Sequence, residues 1–360
     1  MLAGTMTVTT TVDDDTPPAA SAADTRVGPV FPPDAPMAEL HTHLGGSVPT
    51  HILWEIAHAT GVATGVSDYW EFEARVSVPD AGVDGLDPLD DIYGLCERIQ
   101  SSPDAVERAV HALISGGYRK QRITTAEVRF NPAKRNRSAE IDLDHVVLAA
   151  CRAVDRASIE YPAVRAGVVL MCDRGFPLEL NEVIVAKALR WRDRGVVGVD
   201  LGGPRPHPGA YDYSIHGPSF AEARAAGLGV TVHCGEDGDP DEIGQVVESL
   251  RPDRIGHGVL AHADPSVLRT VVDAGVVFEW CPTSNLRTGV FDSVEELADA
   301  YRTMLAGGAR ITVATDGPEM MRTQLRTEYD LLVAAGVLDH ESARAANQLA
   351  HEVSFAPPRR

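Results

Sequence analysis

The sequence has only three lysines, Lys120, Lys134 and Lys187, and five scattered cysteines, Cys96, Cys151, Cys172, Cys234 and Cys281. The cysteines are odd in number and none forms a C-x-x-C pair, which excludes a disulfide framework. Their usage fits a reduced chain, and a cytoplasmic location is expected. Positive charge is scarce: 32 Lys and Arg stand against 52 Asp and Glu, a formal net charge of −20. Such a surface repels phosphate backbones and anionic lipid faces, so neither nucleic acid nor membrane is an expected partner. No apolar run reaches bilayer-spanning length. The phosphate-loop pattern GxxxxGK[ST], the dinucleotide fingerprint GxGxxG after a first strand and any repeat of solenoid period are missing. The oligomeric state has no signature.

What is present is material for one large domain. The chain has 360 residues and 44% of them are hydrophobic, within the range an α/β barrel reaches as a single unit. Residues 1–36 are rich in Thr, Ala, Pro and Asp and have neither the basic start nor the apolar centre of a signal peptide. They are expected to be a disordered tail before a domain spanning 37–360.

From Met37 onward, short apolar runs alternate with helical patterns. The expected strands are Met37 to His43, Ile123 to Phe130, Ala166 to Met171, Val196 to Leu201, Gly229 to His233, Arg254 to His257, Val276 to Trp280 and Ile311 to Thr315. Helical spacing is read over Pro49 to Ala57, Leu143 to Ile159, Glu179 to Arg192, Phe220 to Ala226, Asp241 to Leu250, Pro265 to Asp273 and Val294 to Leu305. Several of these runs stop at a glycine (Gly195, Gly227, Gly275, Gly308), a usual helix end. Residues 67–121 carry helices and no strand, and read as an insertion after the first strand. Eight strand–helix units with near-continuous apolar strands predict a (β/α)₈ barrel of the TIM type. An open doubly wound sheet is the alternative.

In such a barrel the chemistry sits at the C-terminal ends of the strands. The first run ends in Glu39-Leu40-His41-Thr42-His43, where one intervening residue puts both imidazoles on one face of a strand. The fifth ends in His233-Cys234-Gly235-Glu236, the sixth in Gly256-His257-Gly258 and the eighth in Thr315-Asp316-Gly317. His41, His43, His233 and Asp316 make a three-nitrogen, one-oxygen set that zinc accepts with a position left for water, whose pKa the ion lowers towards about 7. Read singly, the histidines also fit core positions and Asp316 also fits a helix N-cap ahead of Pro318. Glu236 is placed to face a substrate as a proton donor. His257, between two glycines, is placed to steady developing charge.

Together these segments resemble the adenosine deaminase family. The resemblance rests on Glu39-Leu40-His41-Thr42-His43-Leu44-Gly45-Gly46-Ser47, His233-Cys234-Gly235-Glu236, Arg254-Ile255-Gly256-His257-Gly258, Cys281-Pro282-Thr283-Ser284-Asn285 and Ala314-Thr315-Asp316, in that order. It implies a barrel with one zinc per chain that hydrolyses the 6-amino group of a purine to a 6-oxo group, releasing ammonia. By position it implies His41, His43, His233 and Asp316 as metal ligands and Glu236 as the acid that protonates a purine ring nitrogen. It further implies His257 as the hydroxide-orienting group, Asp316 as an acceptor of a proton from the metal-bound water, and the backbone N–H of Gly203 as a ring-nitrogen contact. The insertion at 67–121 matches the family's helical lid.

Two positions depart from the family pattern. Gly317 stands where a second aspartate normally contacts the imidazole side of the purine, and Gly45 where adenosine-specific members place an aspartate for the ribose 5′-hydroxyl. A lost carboxyl in a desolvated pocket weakens a matching polar substrate by a few kcal/mol. A purine other than plain adenosine is therefore expected, such as aminodeoxyfutalosine or a thio-adenosine, with Arg129, Arg205 and His207 as candidates for reading an anionic group. Glu319 is a candidate replacement for the carboxyl missing at Gly317. The competing readings are a binuclear amidohydrolase bridged by a modified lysine, which the absence of a lysine at any strand end disfavours, and a purine-binding barrel without turnover.

Overall fold

The computed structural model describes residues 28–136, 142–204 and 211–357. Eight strands run parallel in sequential order: β1 (Met37–His43), β2 (Ile123–Phe130), β3 (Arg165–Asp173), β4 (Val196–Gly202), β5 (Gly229–Cys234), β6 (Arg254–His257), β7 (Val277–Trp280) and β8 (Arg310–Val313). The ends of the sheet meet where Thr42 bridges Asp316, with Asp316 N–H donating to His41 O at 2.9 Å and His43 N–H to Asp316 O at 2.7 Å. The expected (β/α)₈ barrel is thus present, and its closing seam lies between two of the chemistry-bearing segments.

Eight of the described helices ring the strands: Pro103–Gln121, Asp144–Glu160, Leu178–Trp191, Gly217–Ala225, Asp241–Leu250, Pro265–Asp273, Val294–Ala306 and Leu325–Ala334. Local signals start several of them. Ser102, Asp264 and Ser293 accept N-cap bonds from the first-turn amides of their helices, and Gly195, Gly227, Gly275 and Gly308 hold positive φ beyond helix ends. None of the described helices is long and apolar enough to cross a membrane.

Three expectations are corrected. Residues 28–36 are not part of a loose tail: Val30 and Phe31 are buried, Phe31 packs edge-on against Tyr329, and the Arg326 guanidinium donates to the carbonyls of Phe31, Pro32, Pro33 and Ala35. The rest of the expected tail lies outside the described residues. The insertion is shorter than 67–121, because Pro103–Gln121 is a ring helix packed on β2 and on Asp144–Glu160. The added helices are instead Leu44–Ser47, Thr50–Thr60, Tyr69–Arg75 and Asp87–Ile99. Finally, β8 ends at Val313 rather than Thr315, and beyond that end Asp316 pairs with Thr42 of β1 as an isolated bridge.

Charges on otherwise apolar strands point into the barrel and pair there. Arg129 on β2 donates to Asp200 on β4 (3.0 Å), Glu279 on β7 (2.8 Å) and the carbonyl of Leu40 on β1 (2.7 Å). Arg254 on β6 pairs with Glu279 at 2.5 Å and with Glu127 of β2. All of these side chains are buried. Isolated charges at such depth cost several kcal/mol each, so the network is stable only because every charge has an opposite neighbour. It forms a polar floor beneath the mouth.

The opposite end is plugged by the C-terminal segment. The helix His340–Glu352 starts with a capping box at Asp339 and Ser342. Beyond it, the Phe355 ring lies 3.5 Å below the Arg254 guanidinium carbon and against Gly198 and Gly229.

Candidate active site

The ends of β1, β5, β6 and β8 bring together two groups that share His41: His41, His233 and His257, and His41, His43 and Asp316. The Nε2 atoms of His43 and His233 face each other at 3.0 Å. Asp316 Oδ1 lies 3.4 Å from His43 Nε2 and 3.9 Å from His41 Nε2. His41 Nε2 is buried with no partner. Burial first, then neighbouring cationic groups, holds His41 and His43 well below the usual imidazole range, so both rings are neutral.

The floor fixes how these rings point. His41 Nδ1 sits 2.7 Å from Glu279 Oε2, and His233 Nδ1 sits 3.1 Å from Asp200 Oδ1. A carboxylate on Nδ1 fixes the proton there and leaves the Nε2 lone pair directed into the cluster. Burial pushes the Glu279 carboxyl up, but Arg129 and Arg254 outweigh it and bring it to about 2. Asp200 is likewise lowered against its burial, by His233 and Arg129. Both carboxylates stay ionised and serve as permanent acceptors. Four Nε2 or carboxylate donors converge from His41, His43, His233 and Asp316, one of them orphaned, and this set fits a divalent ion.

Close backbone approach makes room for the rings. A Cβ on Gly256 would lie 2.8 Å from His41 Cε1, and one on Gly202 would lie 3.1 Å from His233 Nδ1. His257 and Asp316 both take left-handed φ values, 59° and 64°. Non-glycine residues there cost about 1–2 kcal/mol each. The strain is local to two groups whose side chains have to aim into the mouth.

Glu236 reaches the same space from the turn after β5. Gly235, at φ 66°, bends the chain, and its N–H donates to Glu242 at 3.3 Å. Glu236 Oε1 then lies 3.2 Å from His257 Nε2. Burial raises the Glu236 carboxyl to about 8, so it holds a proton at neutral pH. Burial lowers His257 to about 4. Asn285 Nδ2 lies 3.1 Å from His257 Nδ1, and the Ser284 hydroxyl donates to Asp316 Oδ2 at 2.7 Å.

A cavity opens over the cluster. Glu236, His257, Asp316, Gly203 and Gly45 line it, and the lid helix Asp87–Ile99 forms its far wall with Asp90, Tyr93 and Glu97. Gly203 has φ 80°, and its carbonyl accepts from Arg174 Nε at 2.7 Å. Arg129 is not free to read a ligand: its guanidinium belongs to the floor network. Arg205 and His207 lie outside the described residues. Glu319 turns away from Gly317 to pair with Lys120 at 3.3 Å. Lys134 pairs with Asp173 and Lys187 with Asp142 and Asp144, so none of the three lysines joins the histidine cluster.

The sequence reading did not assign roles to Asp200, Glu279, Ser284, Asn285 or Tyr93. The first two had a signal, a lone acid inside an apolar strand. Tyr93 had none.

Comparison with known proteins agrees with this geometry. The family model described as adenosine deaminase matches residues 36–360. An aminodeoxyfutalosine deaminase of Acidothermus cellulolyticus is 32% identical over 323 residues, covering 86% of this chain and 85% of that protein. An adenosine deaminase of Shewanella denitrificans is 29% identical over 303 residues, covering 82% and 86%. Among solved structures, an Arabidopsis N6-mAMP deaminase superposes with a TM-score of 0.76 at 26% identity, covering 90% of this chain and 94% of that one. Arabidopsis ADAL, 26% identical with a TM-score of 0.75, has been solved with GMP and with IMP. The chain belongs to the adenosine deaminase family, hydrolases that act on C–N bonds.

Proposed function

We propose that this protein is a mononuclear zinc-dependent deaminase that converts the 6-amino group of a 5′-extended adenosine to a 6-oxo group. The observation that carries the reading is the placement of Glu236, 3.2 Å from His257, in the same cavity as His43, His233 and Asp316. When bound there, zinc supplies Lewis acidity that makes water a nucleophile near neutral pH.

The chain's own groups account for the proton movements. Glu236 donates to the ring nitrogen beside C6, which drains electron density from that carbon. Asp316, held by Ser284, accepts a proton from the attacking water. His257, neutral and aimed by Asn285, orients that water and adds no charge. The tetrahedral carbon then collapses as the amine leaves with an added proton, giving ammonia and the 6-oxo purine. The N–H of Gly203 is a second ring contact. This division of labour is that of zinc deaminases in general, with a glutamate outside the ligand set moving the protons.

The substrate class follows from the cavity beyond Gly45. Residue 45 itself offers no carboxyl to a bare 5′-hydroxyl, and the cavity continues beside it along Leu86, Leu89, Asp90 and Lys134. Of the basic residues that line the cavity, Lys134 is paired with Asp173, Arg135 with Glu97, Arg174 with Glu242 and Arg129 with Asp200 and Glu279, so each cation is already balanced by an acid. That balance disfavours a 5′-phosphate and supports an aminodeoxyfutalosine or thio-adenosine type of substrate, in line with the relative of that name. Ammonia release from a panel of adenosine, AMP, 5′-methylthioadenosine and aminodeoxyfutalosine tests this. The highest kcat/KM is expected for a 5′-extended nucleoside, and a maximum at plain adenosine refutes the specificity.

A further inference from the structure

Three glycines of the mouth touch one side chain. A Cβ on Gly45 would lie 2.8 Å from Tyr93 Cδ1 and 3.1 Å from Cε1. A Cβ on Gly317 would lie 3.3 Å from the Tyr93 hydroxyl, and one on Gly46 3.4 Å from it. The ring of Tyr93 therefore stands beside one position where a carboxyl is missing, and its hydroxyl beside the other. Tyr93 comes from the lid helix Asp87–Ile99, and its ring centroid is 6.0 Å from that of His43.

The hydroxyl has no hydrogen-bond partner among the described residues, although it lines the cavity. The neighbouring polar groups are committed elsewhere. Asp316 Oδ2 accepts from Ser284, Oδ1 faces the histidines, and Glu319 faces Lys120. A phenolic O–H is a donor at neutral pH. A partly buried donor without a protein acceptor loses a bond's worth of solvation unless a ligand supplies the acceptor.

The chemistry of the ligand says which acceptor. A 6-substituted purine has two ring nitrogens flanking the C6 substituent, N1 on one side and N7 on the other. Glu236 follows β5, whereas Gly317 follows β8, with β6 and β7 between them. With N1 towards Glu236 and C6 over the histidines, the opposite flank of the purine faces Gly317 and the Tyr93 hydroxyl. From this geometry we infer that Tyr93 is a substrate-binding residue whose hydroxyl donates to purine N7, in the space left by Gly317, while its ring packs against Gly45. The inference rests on the reading that the cavity takes a 6-substituted purine.

The test is binding of inosine and 7-deazainosine to the metal-loaded protein by calorimetry, for wild type and Tyr93→Phe. The variant is expected to bind inosine about tenfold more weakly and 7-deazainosine unchanged, since the latter has no acceptor at that position. Equal weakening of both ligands assigns Tyr93 a packing role and overturns the inference, as does an unchanged affinity for inosine. Ammonia release is measured separately on adenosine and 5′-methylthioadenosine. A protein that releases none, yet shows the N7-dependent loss in Tyr93→Phe, refutes the deamination reading and leaves this inference standing.

Discussion

Glu279 holds His41 from below, with 2.7 Å between Oε2 and Nδ1. The same carboxylate accepts from Arg129 and Arg254, and Arg129 reaches on to Asp200, which holds His233. Two ring nitrogens on opposite sides of the mouth are thus oriented by one buried ion network, fully out of solvent.

Replacing Glu279 with Gln keeps the shape but removes the charge that fixes the His41 proton on Nδ1 and balances two arginines. Metal affinity is expected to fall by about tenfold to a hundredfold. Stability is expected to fall by about 3–5 kcal/mol, because Arg129 and Arg254 are left under-compensated in the interior. Competition with a calibrated chelator and urea unfolding read the two effects. Unaltered metal affinity would show that His41 is oriented without Glu279.

Glu236→Gln separates proton donation from metal binding. The carboxyl is not in the four-donor set, so metal per chain is expected to stay at the wild-type value. Turnover is expected to drop by about 10²–10⁴-fold, the usual worth of a positioned general acid. Elemental analysis and ammonia release on the same preparation check both halves. Retained turnover would remove Glu236 from the acid role.

The strand ends were the legible part of this molecule. His41, His43, His233, His257 and Asp316 each close an apolar run, and the barrel rule places such residues at one mouth. Depth was not legible. Strand alternation tells that Arg129 points inward, but not whether it stands at the rim or a layer below, and the acids that hold it come from β4 and β7. The extent of the lid was hidden for a related reason: Pro103–Gln121 has the same amphipathic pattern whether it covers the mouth or the sheet. Tyr93 sits in a helix with no motif around it, and its meaning exists only next to Gly45 and Gly317, far away in sequence.

Glu328 gives stability a pH dependence away from the histidine cluster. Its carboxyl is buried in the helix Leu325–Ala334, accepting from the Thr283 N–H at 2.9 Å and from the Thr323 hydroxyl. Burial raises it to about 7 despite those bonds. The folded protein therefore holds this proton more tightly than the unfolded chain, whose glutamate titrates near 4.5. Its contribution is fully present below that lower value and is lost as pH rises through 7. Thermal unfolding of wild type is expected to show this loss between pH 5 and 8, and Glu328→Gln to flatten that part of the profile. A Glu328→Gln profile parallel to wild type would place the dependence elsewhere.

Gly229→Ala tests the plug at the closed end of the barrel. A methyl group at this position would lie 2.2 Å from Phe355 Cδ1 and 2.3 Å from Cγ, far inside van der Waals contact. The ring has to withdraw, which breaks its stacking under Arg254 and exposes the guanidinium that neutralises Glu127 and Glu279. Overpacking of this kind costs about 1–3 kcal/mol, and a lost cation–π contact adds about 0.5–2 kcal/mol. Because Phe355 follows the C-terminal helix through a short segment, it can move out without unfolding that helix. The double variant Gly229→Ala/Phe355→Ala is therefore expected to be no less stable than Phe355→Ala alone. Urea unfolding of the four proteins in the cycle reads the coupling, and additive losses would show that Phe355 does not seat against Gly229.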